Sequence, residues 1–163
     1  MDPELRRLID ENAIRKLVIA FSNAMDARDV AMFRSAFADV VDLDIPPRAA
    51  DVIVLQGKVN ADTYAEQVIK LLSGFTATQH VSTNHQIEVD GDRATCVCYT
   101  HATHYLPIEN GEHWLTAGSR YALEAERFPK KGWRFVKFRS TRMFSDGNLG
   151  LWDELTRRLT GQG

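Results

Sequence analysis

The stretch that decides the fold is residues 77–106, which read ATQHVSTNHQIEVDGDRATCVCYTHATHYL. Two runs of strand length, rich in β-branched and aromatic residues, flank the sequence Asp90-Gly91-Asp92. Aspartate and glycine at such a position favour a tight hairpin, because glycine adopts a positive φ without steric cost. The stretch therefore predicts a pair of long antiparallel strands.

Two further runs of the same kind follow toward the carboxyl terminus. Turn signals precede each of them, first at Asn110-Gly111 and then at the segment that ends with Gly132. Consecutive strands joined by tight turns form an antiparallel meander. The predicted strands are Ala77–Val89, Arg93–Leu106, His113–Arg127 and Trp133–Phe144.

Helices are predicted before this meander. Asp2-Pro3 is a helix start signal, and Asp10 is a candidate cap for a second, longer helical segment. Asp29 is expected to cap a further helix over Val30–Ala38. The apolar stripe of the first segments consists of Leu5, Leu8, Ile9, Ala13, Leu17, Phe21, Ala24 and Met25. The apolar positions of the next helix are Met32, Phe33, Ala36 and Phe37.

The pattern changes twice between these helices and the meander. Val41–Ile45 alternates as a half-buried strand does, and Val52–Leu55 is expected to pair with it. Asn60 is then expected to cap a helix that runs to about Leu72 and ends at Gly74. The inward side chains of that helix are predicted to be Tyr64, Val68, Ile69 and Leu72.

These elements predict an α+β fold with the helices on one side of a strongly curved sheet. A last amphipathic segment, Leu149–Leu159, is expected to form a helix with Trp152 and Leu155 inward. A curved sheet with a helix across its mouth leaves a central cavity, which is a ready small-molecule site. The 163 residues show no linker or repeat, so we expect a single domain, 1–163.

The composition excludes several classes of function. The 20 Lys and Arg residues against 22 Asp and Glu give a net charge of −2, which argues against nucleic-acid binding. No apolar run is long enough to span a membrane, and no signal core follows the amino terminus. Cys96 and Cys98 lie two residues apart on one predicted strand, a poor geometry for a disulfide. A reducing compartment and a cytoplasmic location are therefore expected.

Asp26 and His80 are the first candidates for chemistry. Asp26 follows the buried helical stripe directly, so its carboxylate is expected at the edge of the core, where it needs a partner. A structural alternative is that Asp26 caps the helix end or pairs with Arg28. His80 opens an unusually polar strand start that indicates either a wet cavity or an exposed strand end. His85 lies five residues later, and strand alternation predicts that it faces the opposite side.

Two further histidines lie on the next strand, and alternation again separates them. His104 shares a face with small residues that leave space, so it is expected to look into a cavity. His101 shares the other face with tyrosines and is expected to serve an interface or the surface. No metal site is predicted, because parity separates these two histidines and no helical histidine pair is present. The small neighbours of His104 are Ala94, Cys96, Cys98 and Ala102.

The sequence lacks the motifs of other catalytic mechanisms. No Gly-x-Ser-x-Gly elbow of a serine hydrolase occurs, and the 147–150 segment is too short for a dinucleotide fingerprint. Acid–base chemistry without a cofactor remains. A histidine exchanges protons near neutral pH, and an aspartate bonded to one ring nitrogen fixes its tautomer.

A set of motifs occurs in a characteristic order and spacing along the sequence, at 24–29, Phe33, 37–39, 78–84, 90–94 and 102–104. On these motifs the chain resembles the SnoaL-like branch of the nuclear-transport-factor-two-like superfamily over nearly its whole length. The order and spacing of the motifs carry the resemblance, which is more specific for the fold than for the reaction. The resemblance implies a cone-shaped, cystatin-like half-barrel: a curved, mixed, mainly antiparallel sheet with amino-terminal helices enclosing a central cavity.

Within that branch the sequence is most similar to scytalone dehydratase and related dehydratases and dehydrochlorinases. That similarity implies that Asp26 pairs with His80 and that His104 contributes as a further catalytic group. Those enzymes carry a tyrosine beside the aspartate, where this chain has Met25. The group that polarises a carbonyl is therefore unassigned, with Tyr64, Tyr121 and Arg120 as candidates.

The resulting hypothesis is a cofactor-independent, dehydratase-like lyase for a small hydrophobic or aromatic molecule. His80 would be the general base, Asp26 would orient it, and His104 would act as acid or bind the leaving oxygen. An isomerase or polyketide cyclase is one alternative, and a non-catalytic subunit similar to the small subunit of ring-hydroxylating dioxygenases is another. A homodimer or homotrimer is expected through the outer sheet face that carries Tyr99, Tyr105 and Trp114. The predicted substrate-binding residues are Phe21, Met25, Phe33, Tyr64, Leu72 and Tyr121.

Overall fold

The structure is a computed structural model that describes residues 2–45 and 56–161. Its elements follow the predicted order of helices, short strands, one helix, a meander and a last helix. The helices are α1 (Pro3–Ala27), α2 (Val30–Ser35), α3 (Ala61–Leu72) and α4 (Leu151–Thr160). The strands are β1 (Phe37–Asp44), β2 (Gln56–Asn60), β3 (Ala77–Asp90), β4 (Arg93–Tyr105), β5 (Trp114–Phe128) and β6 (Gly132–Gly147).

Helix α1 is one continuous helix, not the two segments expected. The Asp2 carboxylate caps it by accepting the Glu4 N–H at 2.8 Å, and the left-handed residue Arg28 ends it. The expectation that Asp10 caps a second segment is wrong, because Asp10 lies inside the helix and its carboxylate bonds to the sheet. The first apolar positions of the expected stripe, Leu5, Leu8 and Ile9, are exposed.

The segment after α2 also differs from prediction. Helix α2 ends at Ser35, and Phe37 already begins β1 instead of continuing the helix to residue 38. The reason is a parallel pairing with β6, in which the Phe135 N–H donates to the Ala36 carbonyl at 2.9 Å. The expected strand Val52–Leu55 lies outside the described residues. The next five residues form β2, which pairs antiparallel with β1.

Helices α3 and α4 match their predicted positions. Asn60 caps α3 by accepting the N–H groups of Asp62 and Thr63, and the helix ends at Leu72. In α4, Trp152 and Leu155 are buried as expected. Gly74 follows α3 where α4 approaches closely, since a Cβ there would lie 2.1 Å from the Leu155 side chain. A side chain at position 74 would therefore displace the Leu155 side chain where α4 closes this end of the molecule.

The sheet is six-stranded and open, in the order β2-β1-β6-β5-β4-β3. Strands β3 to β6 form the predicted antiparallel meander, and the parallel β1–β6 pair makes the sheet mixed. The fold class is thus confirmed as α+β with amino-terminal helices on one face. Because β3 is the edge strand, α1 reaches the sheet along the unpaired side of β3.

A β-bulge in β3 changes one predicted orientation. The register with β4 shifts between Thr83 and Gln86, and Asn84 adopts a left-handed φ of 55°. The extra residue returns His85 to the same face as His80, so the predicted opposition of these two histidines is wrong. The His85 ring contacts the Ser82 hydroxyl at 3.2 Å. Burial, with the nearby charge of Arg15, lowers the pKa of His85.

The two faces of the sheet differ in character. The face toward the helices holds the core, with Phe21 of α1 in ring contact with four other aromatic residues. The free cysteines Cys96 and Cys98 are buried on this face, as expected. The opposite face exposes a set of large apolar side chains. It includes Val81, Tyr99, Tyr105, Trp114, Met143 and Phe144.

Among the described residues, the helices are too short or too polar to act as membrane-spanning segments.

Candidate active site

Asp26 lies in the last turn of α1, directly against the unpaired edge of β3. Its Oδ1 lies 2.7 Å from Nδ1 of the His80 ring, and its Oδ2 accepts the His80 backbone N–H at 2.8 Å. The Thr78 hydroxyl donates a third bond to Oδ1 at 2.9 Å. Both oxygens of the carboxylate are therefore fixed by one short segment of the edge strand.

The protonation state of Asp26 follows from these bonds. Burial acts to raise the pKa of this carboxyl, but the bonds from the His80 ring, the His80 backbone and Thr78 outweigh it. The pKa of Asp26 is consequently held below its ordinary value of 3.8, and the group is a carboxylate at neutral pH.

The tautomer of His80 follows in turn. A carboxylate can only accept hydrogen bonds, so Nδ1 of His80 must carry the proton that lies between the two groups. In the neutral ring, Nε2 is then the basic nitrogen. The His80 side chain is 3% exposed, whereas that of Asp26 is 26% exposed. The basic nitrogen is thus held in the interior by a carboxylate that still reaches solvent.

Arg28 does not pair with the Asp26 carboxylate, as one reading of the sequence allowed. Its guanidinium donates to the backbone carbonyl of Met25 and to the Thr78 hydroxyl, the latter at 2.7 Å. A longer contact of 3.5 Å reaches the backbone carbonyl of Asp26. Arg28 therefore acts on the carboxylate through Thr78 and the end of α1.

His104 lies behind His80 rather than beside the cavity. The two rings are nearly perpendicular, with their centroids 5.5 Å apart. Phe75 and Trp152 pack on the His104 ring at 4.9 Å and 5.1 Å, and the residue is 1% exposed. The structure thus confirms the inward face predicted for His104 but surrounds its ring with aromatic groups.

A small internal cavity adjoins His80. Its volume is about 30 Å³, which is the space of roughly one water molecule. Five of the six predicted substrate-binding residues line it, and Phe33 does not, because it packs behind Phe21 and Tyr64. Side chains fill most of the hollow that the curved sheet leaves. The lining residues that sequence reasoning missed are Ile45, Val68, Leu71, Phe138 and Ser140.

A second opening reaches the same pair of residues from outside. This cleft between α1 and β3 has a volume of about 280 Å³ and is lined by both Asp26 and His80. Most of its other lining groups are polar, in contrast to the apolar internal cavity. They are Ile19, Ser22, Asn23, Gln79, Val81 and Ser82.

A row of polar side chains crosses the inner face one step beyond the Asp26–His80 pair. Strand register places Ser82, Thr100, Ser119 and Arg142 side by side on β3 to β6. Sequence reasoning missed this row, although the alternation of buried and exposed positions on β5 and β6 could have revealed it. Arg120, by contrast, is exposed, and register pairs it with Tyr99 of the outer face.

Two hydroxyls in this region lack partners within the described part of the chain. The Ser22 and Thr100 oxygens are inaccessible to solvent and form no hydrogen bond with any described residue. Ser22 precedes Asp26 by one helical turn, and Thr100 is paired with Ser82 in the sheet. Within residues 2–45 and 56–161, no three His, Cys, Asp or Glu side chains lie together in a group that could hold a metal ion.

The model of the family described as "SnoaL-like domain" matches residues 6–139, which is more than half of the chain. The protein belongs to the SnoaL-like domain family. This membership confirms the resemblance on which the pairing of Asp26 with His80 was predicted. None of the curated proteins matches the sequence significantly.

Solved structures place this SnoaL-like protein in the same fold group. The Kfla4162 protein of Kribbella flavida is 23% identical, with a TM-score of 0.79 over 90% of this chain and 99% of that one. A crystal structure of LinA is 21% identical, with a TM-score of 0.72 over 90% of this chain and 95% of that one. A putative scytalone dehydratase from Novosphingobium aromaticivorans is 16% identical, with a TM-score of 0.69 over 87% and 89%.

These likenesses bear on architecture. Further matching structures are described as members of the nuclear-transport-factor-two-like superfamily and as having a cystatin-like fold. They confirm the predicted fold class.

Proposed function

We propose that this SnoaL-like protein is a cofactor-independent lyase in which His80 is the general base and Asp26 orients it. The observation that carries the proposal is the 2.7 Å contact between Asp26 Oδ1 and His80 Nδ1. That contact commits Nδ1 to the carboxylate and leaves Nε2 as the base. A buried base and the ionised partner that orients it are the minimum set of groups for removing a proton from carbon.

The proposed reaction is an elimination. Nε2 of His80 takes a proton from carbon, the C–H electron pair forms the new double bond, and the leaving group departs with its own bonding pair. Asp26 stays ionised and stabilises the imidazolium that forms. The names of fold neighbours support elimination, since they include a hexachlorocyclohexane dehydrochlorinase and a putative scytalone dehydratase.

The substrate is proposed to be a small hydrophobic or aromatic molecule. The support is the lining of the cavity beside His80, where Phe21, Met25 and Leu72 are apolar and Tyr64 and Tyr121 add hydroxyl groups. At about 30 Å³ the cavity does not hold a ring, so binding requires these side chains to move. We therefore expect ligand binding to be accompanied by displacement of the cavity wall.

His104 is proposed to contribute through His80. The expectation that it acts as an acid or binds the leaving oxygen needs contact with the substrate, and His104 is not among the residues that line the cavity. Its perpendicular ring packing at 5.5 Å instead supports a role in holding the His80 imidazole.

The test is a product assay with the two substrate types that the neighbours suggest. Purified protein is incubated separately with hexachlorocyclohexane and with scytalone, and the masses of the products are measured by mass spectrometry. Loss of HCl or of water supports the lyase. A product of unchanged mass would favour the isomerase alternative. Equal conversion by wild type and His80→Gln would refute His80 as the base.

A second candidate, a non-catalytic subunit, is favoured by one observation, the small volume of the internal cavity. Such a subunit would bind neither substrate type and would use its outer sheet face to associate. That face, exposed at Tyr99, Tyr105 and Trp114, is also where we propose a homodimer or homotrimer. Light scattering of wild type and Tyr99→Lys tests this, since only the variant should be monomeric.

A further inference from the structure

A continuous chain of hydrogen bonds runs from Arg28 to the candidate base. The Arg28 guanidinium donates to Thr78 Oγ1 at 2.7 Å, and that hydroxyl lies 2.9 Å from Asp26 Oδ1. Asp26 Oδ1 then accepts from His80 Nδ1 at 2.7 Å. Neither Arg28 nor Thr78 lines the cavity or the outer cleft. This chain of hydrogen bonds therefore reaches the Asp26–His80 pair from a side that faces neither the cavity nor the cleft.

The direction of this chain is fixed by chemistry. A guanidinium has only donors, so the Thr78 oxygen must accept from Arg28. The single hydroxyl proton of Thr78 is then directed at Asp26 Oδ1, because the carboxylate can only accept. Arg28 thus determines that Thr78 stabilises the ionised form of Asp26 rather than the protonated form.

Arg28 itself is held where this role requires it. It is the left-handed residue that ends α1, with a φ of 59°. The same guanidinium nitrogen bonds to the Met25 carbonyl, so the side chain caps the negative end of the helix that carries Asp26. Burial lowers the pKa of Arg28 while the Asp26 charge opposes that shift, and an arginine stays charged at neutral pH.

We propose that Arg28 and Thr78 are positioning residues of the candidate active site. They hold the Asp26 carboxylate ionised and oriented, so that it keeps His80 in the tautomer with the proton on Nδ1. The proposal rests on the function proposed for His80. Neither residue is proposed to contact the substrate. Their proposed role also differs from a purely structural link between α1 and β3, because they act on the ionisation and orientation of Asp26.

The first experiment needs no substrate. The carboxyl carbon of Asp26 is titrated by NMR in wild type, Thr78→Val, Thr78→Ser and Arg28→Gln. We expect the Asp26 pKa to rise in Thr78→Val and in Arg28→Gln, and to return to the wild-type value in Thr78→Ser. Thr141→Val, at an exposed position on β6, is the matched control and should leave the titration unchanged. A wild-type pKa for Asp26 in folded Thr78→Val would overturn the proposal.

The second experiment reads the same effect in catalysis. With a substrate found by the product assay, Thr78→Val should lower kcat about tenfold at acidic pH, with KM unchanged. The loss should shrink as pH rises, because Asp26 with a raised pKa ionises again at higher pH. A kcat loss that is the same at every pH, or a change in KM alone, would contradict the positioning role.

The two outcomes separate this inference from the proposed function. If the Asp26 pKa rises in Thr78→Val but no elimination product is found, the positioning role of Arg28 and Thr78 is supported and the lyase activity is refuted. If turnover is lost in the His80 variant but unchanged in the Thr78 and Arg28 variants, the lyase activity is supported and the positioning role is refuted.

Discussion

Helix α1 presents two carboxylates to the sheet, and their surroundings are different in kind. Asp10 accepts two bonds from Arg127, at 2.6 Å and 2.8 Å, and further bonds from Arg6 and Trp133. Asp26 accepts its bonds from the His80 ring, the His80 backbone and Thr78, none of which carries a permanent charge. One end of the helix is thus anchored by arginines and the other by a titratable ring.

The difference shows how one residue type serves two purposes. The bond from Arg127 lowers the pKa of Asp10 to about 2 against the opposing effect of burial, and Trp133 and Arg6 add to the lowering. An arginine keeps its proton, so this pair can only hold the structure together. An imidazole gains and loses a proton near neutral pH, so the Asp26–His80 pair can take part in a reaction.

The largest expected effect is on turnover at the Asp26 end. Asp26→Asn and His80→Gln should each lower kcat at least a hundredfold, because each removes part of the general base. The folded state should survive in both variants, as read by circular dichroism. His101→Gln, on the exposed face of β4, is the control and should keep wild-type turnover. Comparable loss in His101→Gln would show that the effect is not specific to the site.

At the Asp10 end the expected effect is on stability. Asp10→Asn leaves Arg127 beside a neutral amide in a largely buried position, and we expect a loss of about 3 kcal/mol in the free energy of unfolding. Asp39→Asn, whose carboxylate is exposed, should change it far less. Chemical denaturation measures both. A loss at Asp26→Asn as large as that at Asp10→Asn would erase the contrast between the two ends.

The contribution of Asp10 should also depend on pH. Its pKa is about 2 in the folded protein and 3.8 as an ordinary carboxyl, so folding favours the ionised form. The stabilisation is complete above pH 3.8 and is lost as pH falls through about 2. Unfolding free energies of wild type and Asp10→Asn should therefore converge on acidification from pH 5 to about 2. A constant difference over this range would contradict the assigned pKa.

The smallest effect concerns the unpartnered hydroxyls near Asp26. Replacing Thr100 by Val, or Ser22 by Ala, removes a buried oxygen that no described residue bonds, so stability should stay or rise by up to about 1 kcal/mol. Thr116→Val is the control, because its hydroxyl bonds to Thr103 at 3.1 Å and its removal should destabilise. A clear loss in Thr100→Val would mean that its oxygen has a partner.

Sequence reasoning located the long elements well because their periodicity is strong. The limits of α3 and of the meander strands follow from Asn60 and from the Asp90-Gly91-Asp92 turn, both of which act locally. The pairing of Asp26 with His80 came from family resemblance. The structure then brought the two groups to 2.7 Å.

What sequence reasoning missed depends on distant contacts. The local sequence around Asp10 predicts a helix cap, because it does not show that Arg127, far along the chain, lies beside this residue. The bulge at Asn84 has no strong local signal, yet it reverses the side to which His85 points. The filling of the cavity by Phe21 and Tyr64 depends on packing between elements, which periodicity does not encode.

The most direct test of the central claim is the tautomer of His80. Protein labelled with ¹⁵N-histidine is examined by NMR at a pH where the imidazole is neutral. The account predicts a protonated Nδ1 and an unprotonated Nε2 for His80 in the wild type, and loss of this preference in Asp26→Asn. A wild-type His80 with its proton on Nε2 would contradict the account, because the nitrogen that faces away from Asp26 could not then accept a proton.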